Sequence, residues 1–304
     1  LLEALVVLAL LGILVSLAAP AVSDLSARHQ VQAQAEGFLG SHVWRMADSA
    51  FGGLSAIELS EDGQSFVALG DKGMFLRGTL QRDGTGRIVD VLAGPIRRLR
   101  AADTGEPLAS RRSDSEGLAI GPDGQAFVSF ENRSRVASLD IETGLTRDLE
   151  NHPDFATLPR NGALEALAMG PDRRLYALPE DPAEGRIPVY LWDKGVWDAK
   201  LTVPRRGRFL PVAADFGPDG RLYVLERDFR ALGGFSSRLR RFDLGADGLT
   251  GEATLLETPC ALHDNLEGLS VWRDDQGVLR ATMISDDNFI FVQQTQIVEY
   301  RLPD

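Results

Sequence analysis

Five short acidic segments recur along this chain, spaced so that their carboxylates could meet. Aligned on a shared turn, the first position of each reads Ser55, Glu116, Glu165, Val212 and Glu267, and three positions later come Glu58, Ala119, Ala168, Asp215 and Ser270. Each segment thus offers one carboxylate: Glu58, Glu116, Glu165, Asp215 or Glu267. Eight residues beyond the turn glycine position stand Asp71, Asn132, Asp181 and Asp228, with Asp286 and Asp287 near the equivalent place in the last copy. Carboxylates gathered in a ring repel one another and hold raised pKa values unless a cation or basic side chains neutralise them. Hard oxygen ligands of this kind suit Ca2+, whereas zinc would want His or Cys. The expected metal ligands are therefore Glu58, Asp71, Glu116, Glu165, Asp215, Asp228, Glu267, Asp286 and Asp287.

Basic residues flank the same positions. Arg111 and Arg112 precede Ser113-Asp114-Ser115-Glu116, Lys72 and Arg133 sit beside strand-end residues, and Arg227 precedes Asp228. Any of them could bind phosphate or carboxylate oxygens, or simply be a solvated surface charge. His263, directly before Asp264-Asn265-Leu266-Glu267, is the histidine best placed for proton transfer. Glu116, Glu165, Glu267, His263 and Arg112 form the expected catalytic set. The competing reading of the second-strand Asp and Asn residues is turn capping, and Asp123, Asp172 and Asp219 in their Pro-Asp turns are expected to do only that.

The elements that carry these residues repeat as well. Glu116–Asn132, Glu165–Asp181 and Val212–Asp228 each read as an apolar strand, a Pro-Asp-Gly-like turn and a second apolar strand, and Ser55–Asp71 and Glu267–Asp287 are looser copies. Recurrence at roughly 45 to 60 residues is the mark of a propeller or solenoid. Two further strand-like runs follow each copy except the last, which supplies three strands, while HVWRM at His42–Met46 stands unpaired before the first. If that early strand completes the last unit, the ring closes and no open edge is left. The expectation is an all-β propeller of five four-stranded blades over residues 37–304, or six if a longer stretch hides a degenerate blade. The first strand of each blade lines the channel and the second runs back, so strand-one starts and strand-two ends emerge on one face.

Composition agrees with a large β domain: 304 residues, 44% hydrophobic, with 31 Gly and 15 Pro. A net charge of −12 disfavours nucleic acid as a partner. It also means that an enzyme acting on phosphorylated molecules would need a bound cation or a local arginine cluster to reverse the sign. No Gly-x-Ser-x-Gly elbow, Walker loop or His-Glu-x-x-His motif occurs. Cys260 is the only cysteine and cannot form an internal disulfide.

Residues Leu1–Val22 are strongly apolar, with Glu3 their only charge, and long enough to cross a membrane as a helix, which a polar stretch to Glu36 could extend. The segment resembles the N-terminal helix of type IV pilins and pseudopilins, whose glutamate near the start Glu3 matches. A simple anchor and a signal peptide are the alternatives. All three place the remainder at the bacterial envelope, periplasmic or extracellular, and the pilin-like reading adds a pilus-like assembly.

FGGLSAIELSEDG, SDSEGLAIGPDG, NGALEALAMGPD and HDNLEGLSVW followed by SDDNF, in this order, resemble the phytase-like family described as having esterase-like activity. The resemblance implies a secreted propeller in which Glu58, Asp71, Glu116, Glu165, Asp215, Glu267, Asp286 and Asp287 carry phosphoesterase chemistry. The expected function is metal-assisted hydrolysis of a small phosphoester or related ester, with Ca2+ and Arg112 binding the substrate oxygens and His263 supplying a proton. A lactonase-like propeller hydrolase and a non-catalytic recognition or adhesin head are the alternatives.

Overall fold

A computed structural model describes residues 37–180, 185–231, 233–245 and 248–303. The pilin-like helix and Glu3 lie outside the described residues. Among the described residues no helix is long and apolar enough to cross a membrane.

After β1 (Phe38–Val43), the first sheet contains β2 (Leu54–Leu59), β3 (Ser65–Gly70), β4 (Met74–Arg82) and β5 (Ile88–Ala93), with β6 (Arg97–Arg98) also on β4. The short β7 (Arg100–Ala101) crosses to the second sheet and lies parallel to its outer strand, beyond β8 (Ser115–Ile120), β9 (Ala126–Phe130), β10 (Arg135–Leu139) and β11 (Leu145–Asp148). The third holds β12 (Leu164–Met169), β13 (Leu175–Pro179), β14 (Arg186–Asp193) and β15 (Val196–Pro204). The fourth holds β16 (Leu210–Phe216), β17 (Leu222–Arg230), β18 (Gly234–Gly245) and β19 (Gly248–Glu257). The last is β20 (Asn265–Arg273), β21 (Leu279–Asp286) and β22 (Gln296–Arg301), with β1 as its outermost strand.

The protein is thus a five-bladed propeller, and the six-bladed alternative is set aside. Its inner strands touch in sequence around the ring, β2 to β8, β8 to β12, β12 to β16, β16 to β20 and β20 back to β2. The N-terminal strand does complete the last blade, but it lies earlier than HVWRM. Only His42 and Val43 of that run belong to β1, and Trp44 ends the pairing by donating its N–H to Thr295 O at 2.9 Å.

Strand alternation builds the core between blades rather than within them. In β3, Phe66 and Ala68 face a cluster shared with the last blade, while Leu69 faces one shared with the second blade. In β13, Leu175 and Ala177 face back to the second blade and Tyr176 and Leu178 face forward to the fourth. Each blade is therefore apolar on both faces and is held by its neighbours.

The inner strands approach closely because the motif supplies glycine where they meet. A Cβ on Gly117 would lie 2.7 Å from Glu165 O, and one on Gly268 would lie 2.8 Å from Ile57 N. This proximity brings the adjacent Glu116 and Glu267 to a common axis.

Trp44, 3% exposed and edge-on to Phe51 and Phe66, packs where the last blade meets the first. Trp44→Ala should cost about 3–5 kcal/mol, as for other buried aromatics. Val89→Ala, at a half-exposed site on β5, should stay within about 0.5 kcal/mol. Urea denaturation of both variants checks this, and equal losses would deny the ring closure its role.

Candidate active site at one mouth of the channel

The carboxylates do not form one ring. The inner strands run about 3.3 Å per residue, so a motif's first and fourth positions stand about 10 Å apart. Glu116, Glu165 and Glu267 begin their strands, whereas Glu58 and Asp215 lie near the turns at the other end. There, with Ser270, they line a cavity of about 1370 Å3 whose rim includes Pro122, Pro171 and Pro218.

The two ends differ in what the carboxyls touch. Asp215 accepts from Val271 N at 2.6 Å, tying β16 to β20, and Glu58 accepts from Ile120 N and is 3.5 Å from Ser270 Oγ. Ser270 Oγ accepts from Leu59 N at 3.0 Å. These side chains satisfy backbone donors on the inner edges of the channel strands, which otherwise have no ladder partner. Burial still pushes Asp215 up to about 7, and burial with the charge of Asp215 raises Glu58.

At the opposite mouth the carboxyls meet one another. Glu116, Glu131, Glu165, Glu180, Glu267 and Asp286 are 5–8% exposed. One oxygen from each of Asp114, Glu116 and Glu131 lies within 4.8 Å of the others. Glu131 hydrogen-bonds Glu165 and accepts from Gly162 N. Burial, then Glu267, Glu131 and Asp114, raise Glu116, and burial, then Glu116 and Glu180, raise Glu165. Asp71 is pushed up to about 6 by burial, with Lys72 opposing and Asp114, Glu267 and Asp287 adding to the rise. Asp286 rises to about 8 through burial and Glu267.

Arg227 is the guanidinium that enters this cluster. It donates to Glu180 Oε1 from Nε (3.1 Å) and Nη2 (3.0 Å), to Asn265 Oδ1 at 2.8 Å, and to Glu267. Burial opposes its charge, but Glu267, Glu180 and Glu165 outweigh burial and hold it protonated. Asn265 Nδ2 also donates to Glu267 Oε1, at 2.8 Å.

Counting eight residues from the turn misplaces most of the second-strand set. The first blade closes its hairpin with residues 60–65 between Leu59 and Phe66, whereas the second uses 121–125 between Ile120 and Ala126. The third and fourth also have the shorter turn. The residues equivalent to Asp71 are thus Glu131, Glu180 and Arg227, one before Asn132, Asp181 and Asp228. Asp181 lies outside the described residues. Asp228 is paired with Arg208 and Arg230, both at 3.0 Å, and these bonds overcome burial to lower its pKa. Asp287 accepts from Gly53 N and Phe289 N at 2.9 and 3.0 Å, pinning its loop to the first blade.

The ring of His263 turns to Tyr300 of the last blade. Its Nε2 is 2.7 Å from Tyr300 OH, and burial lowers it to about 4, so it is neutral near pH 7. Arg112 turns to Asp148, at 2.6 Å. Asp123, Asp172 and Asp219 each cap their turn by accepting the N–H two residues on, but Asp172 and Asp219 do more, also accepting the hydroxyls of Tyr176 and Tyr223 at 2.8 Å.

The donor set fits a hard cation. Oxygens that share one Ca2+ at about 2.4 Å can be at most about 4.8 Å apart, a condition that Asp114, Glu116 and Glu131 meet. Asp71 Oδ1 nearby is buried without a hydrogen-bond partner, a free acceptor turned from solvent.

Five antiparallel blades around a carboxyl-lined channel define the class, a β-propeller. Residues 49–289 match the family described as Phytase-like: esterase-like activity of phytase, and the chain belongs to it. Among solved structures, the chain is similar to a virginiamycin B lyase from Staphylococcus aureus, with 12% identity, a TM-score of 0.44, and 87% of this chain and 99% of that one covered. It is also similar to the PQQ-bound aldose sugar dehydrogenase of Streptomyces coelicolor, with 10% identity, a TM-score of 0.43, and coverage of 87% and 98%. A gluconolactonase from Xanthomonas campestris shows 15% identity and a TM-score of 0.43, with 79% of this chain and 69% of that one covered. No curated protein matches the sequence.

A carboxyl whose folded pKa exceeds its unfolded value binds more protons in the native state, so stability falls as pH rises between the two. His263 has the opposite sign, costing stability below 6.5. Between pH 6.5 and 8 the window belongs to Asp215, at about 7, and Asp286, at about 8. In chelator the melting temperature should therefore fall from pH 6.5 to 8, and Ca2+ should flatten that slope. A melting temperature that rises over this range in chelator contradicts the assignment.

Proposed function

We propose that this protein is a cation-dependent hydrolase of small phosphoesters or related esters, working at the mouth built by the strand-one starts. The observation that carries the reading is the meeting of half-buried Asp114 with buried Glu116 and Glu131 at a separation that suits one hard cation. Membership of a family described by esterase-like activity supports it. The apolar Leu1–Val22 run supports a place outside the cytoplasm, at a bacterial envelope.

Asp114, Glu116 and Glu131, with Asp71 beside them, would hold the ion, and Ca2+ is the ion this oxygen set suits. Bound there, it would offset the carboxyl charge and polarise the ester oxygen. Glu165, which burial and then the charge of Glu116 raise well above the ordinary carboxylate range, is the acid that gives a proton to the leaving oxygen. Burial raises Glu267, while Arg227 and Asn265 oppose that rise by favouring its ionised form, and it takes the proton of the attacking water. Arg227 positions Glu267 and Glu180.

A panel of phosphomonoesters, phosphodiesters and lactones, run with Ca2+ and with chelator, tests the reading. At least one phosphoester should turn over only with the ion. Glu116→Gln should remove the Ca2+-induced rise in melting temperature and lower kcat/KM by at least about 100-fold, and Glu165→Gln should lower kcat with little change in KM. Turnover of lactones alone would transfer the site to lactone hydrolysis, and an inert panel would leave a recognition head.

A further inference from the structure

A separate cavity of about 720 Å3 opens at the second blade, and Arg112, Arg133, Arg135 and Arg160 all line it. In a chain with a net charge of −12 this is a local reversal of sign. Asp148 is the carboxylate that answers it, taking Arg112 Nη2 at 2.6 Å and Arg135 Nε at 3.1 Å. Among the described residues neither Arg133 nor Arg160 has an ion-pair partner. Positive charge is left in excess.

The guanidiniums are close enough to act on one another. Burial lowers Arg135 to about 10, Asp148 opposes the fall, and Arg112 and Arg133 deepen it. Arg135 is 4% exposed, lies with Cζ 3.7 Å from the Phe130 ring centroid, and donates to the carbonyls of Arg133 and Arg112. It is a fixed floor, while Arg133 and Arg160 are exposed and able to close on a ligand. Asn132 lines the same cavity and donates its side-chain amide to Asp114 of the carboxyl cluster, so the two sites share a wall.

We propose that this cavity is an oxyanion subsite that takes a phosphoryl group. Planar guanidiniums match phosphate oxygens with paired N–H donors, and a dianion relieves the excess charge best. An acidic enzyme that handles a phosphorylated molecule needs a bound cation or a local arginine cluster to reverse the sign, and this cavity supplies the second. As a statement about substrate this rests on the hydrolase reading, and it makes the substrate one that carries a phosphoryl group apart from the bond that breaks. As a binding site it does not depend on turnover.

Titration calorimetry with inorganic phosphate in chelator tests it, using wild type, Arg133→Gln/Arg160→Gln and Glu116→Gln. Wild type and Glu116→Gln should bind phosphate alike, and the double arginine variant, altered only at exposed positions, should bind at least about tenfold more weakly. No binding to wild type, or equal binding to the double variant, would overturn the proposal. Loss of binding in Glu116→Gln would also overturn it, by moving phosphate to the carboxyl cluster. No result depends on catalysis, so failure here is distinguishable from failure of the hydrolase assignment.

Discussion

Like charges forced together without water are the constraint on which this structure turns. The propeller brings the starts of its inner strands to one axis, and at three of those starts stands a glutamate, with further carboxyls arriving from the ends of the second strands. Ionising them all in a buried setting is prohibitive. The cluster must keep protons, enlist Arg227, or take up a cation. The first two arrangements are visible in the raised carboxyls and in the bonds from Arg227 to Glu180 and Glu267. The third is the use to which such a site lends itself.

The scaffold can sustain this because its stability comes from elsewhere. Apolar clusters fill every junction between consecutive blades, so the mouth can be electrostatically costly without the ring opening. The far end of the channel shows the alternative use of a buried acid. Glu58 and Asp215 face backbone N–H groups of the neighbouring inner strand and act as clamps between blades. The same residue type therefore has two roles along one channel, divided by whether its partners are backbone donors or other carboxyls.

Much of this was legible in the sequence. The recurring strand, turn and strand pattern announces blades, the surplus early strand announces closure of the last blade, and the glutamates that begin the inner strands announce the mouth. The rest failed for local reasons. One extra residue in the Ser60–Ser65 turn shifts the count that works for Asp71 and hides Glu131, Glu180 and Arg227 behind Asn132, Asp181 and Asp228. Periodicity cannot tell the two ends of a strand apart in chemistry, so Glu58 and Asp215 are drawn into a ring that they do not join. His263 lies close in sequence to Glu267, yet its ring packs against Tyr300. The basic residues are the hardest to read, because whether an arginine serves carboxyls, as Arg227 does, or lines a separate cavity, as Arg112 does, is a matter of tertiary placement.

The central claim is that the mouth holds protons which it exchanges for a cation. Calorimetric titration with Ca2+ at pH 6.5, in buffers of different ionisation enthalpy, measures that exchange directly. The account predicts binding with net release of protons, abolished in Glu116→Gln. Binding without proton release, or no binding at all, would contradict it.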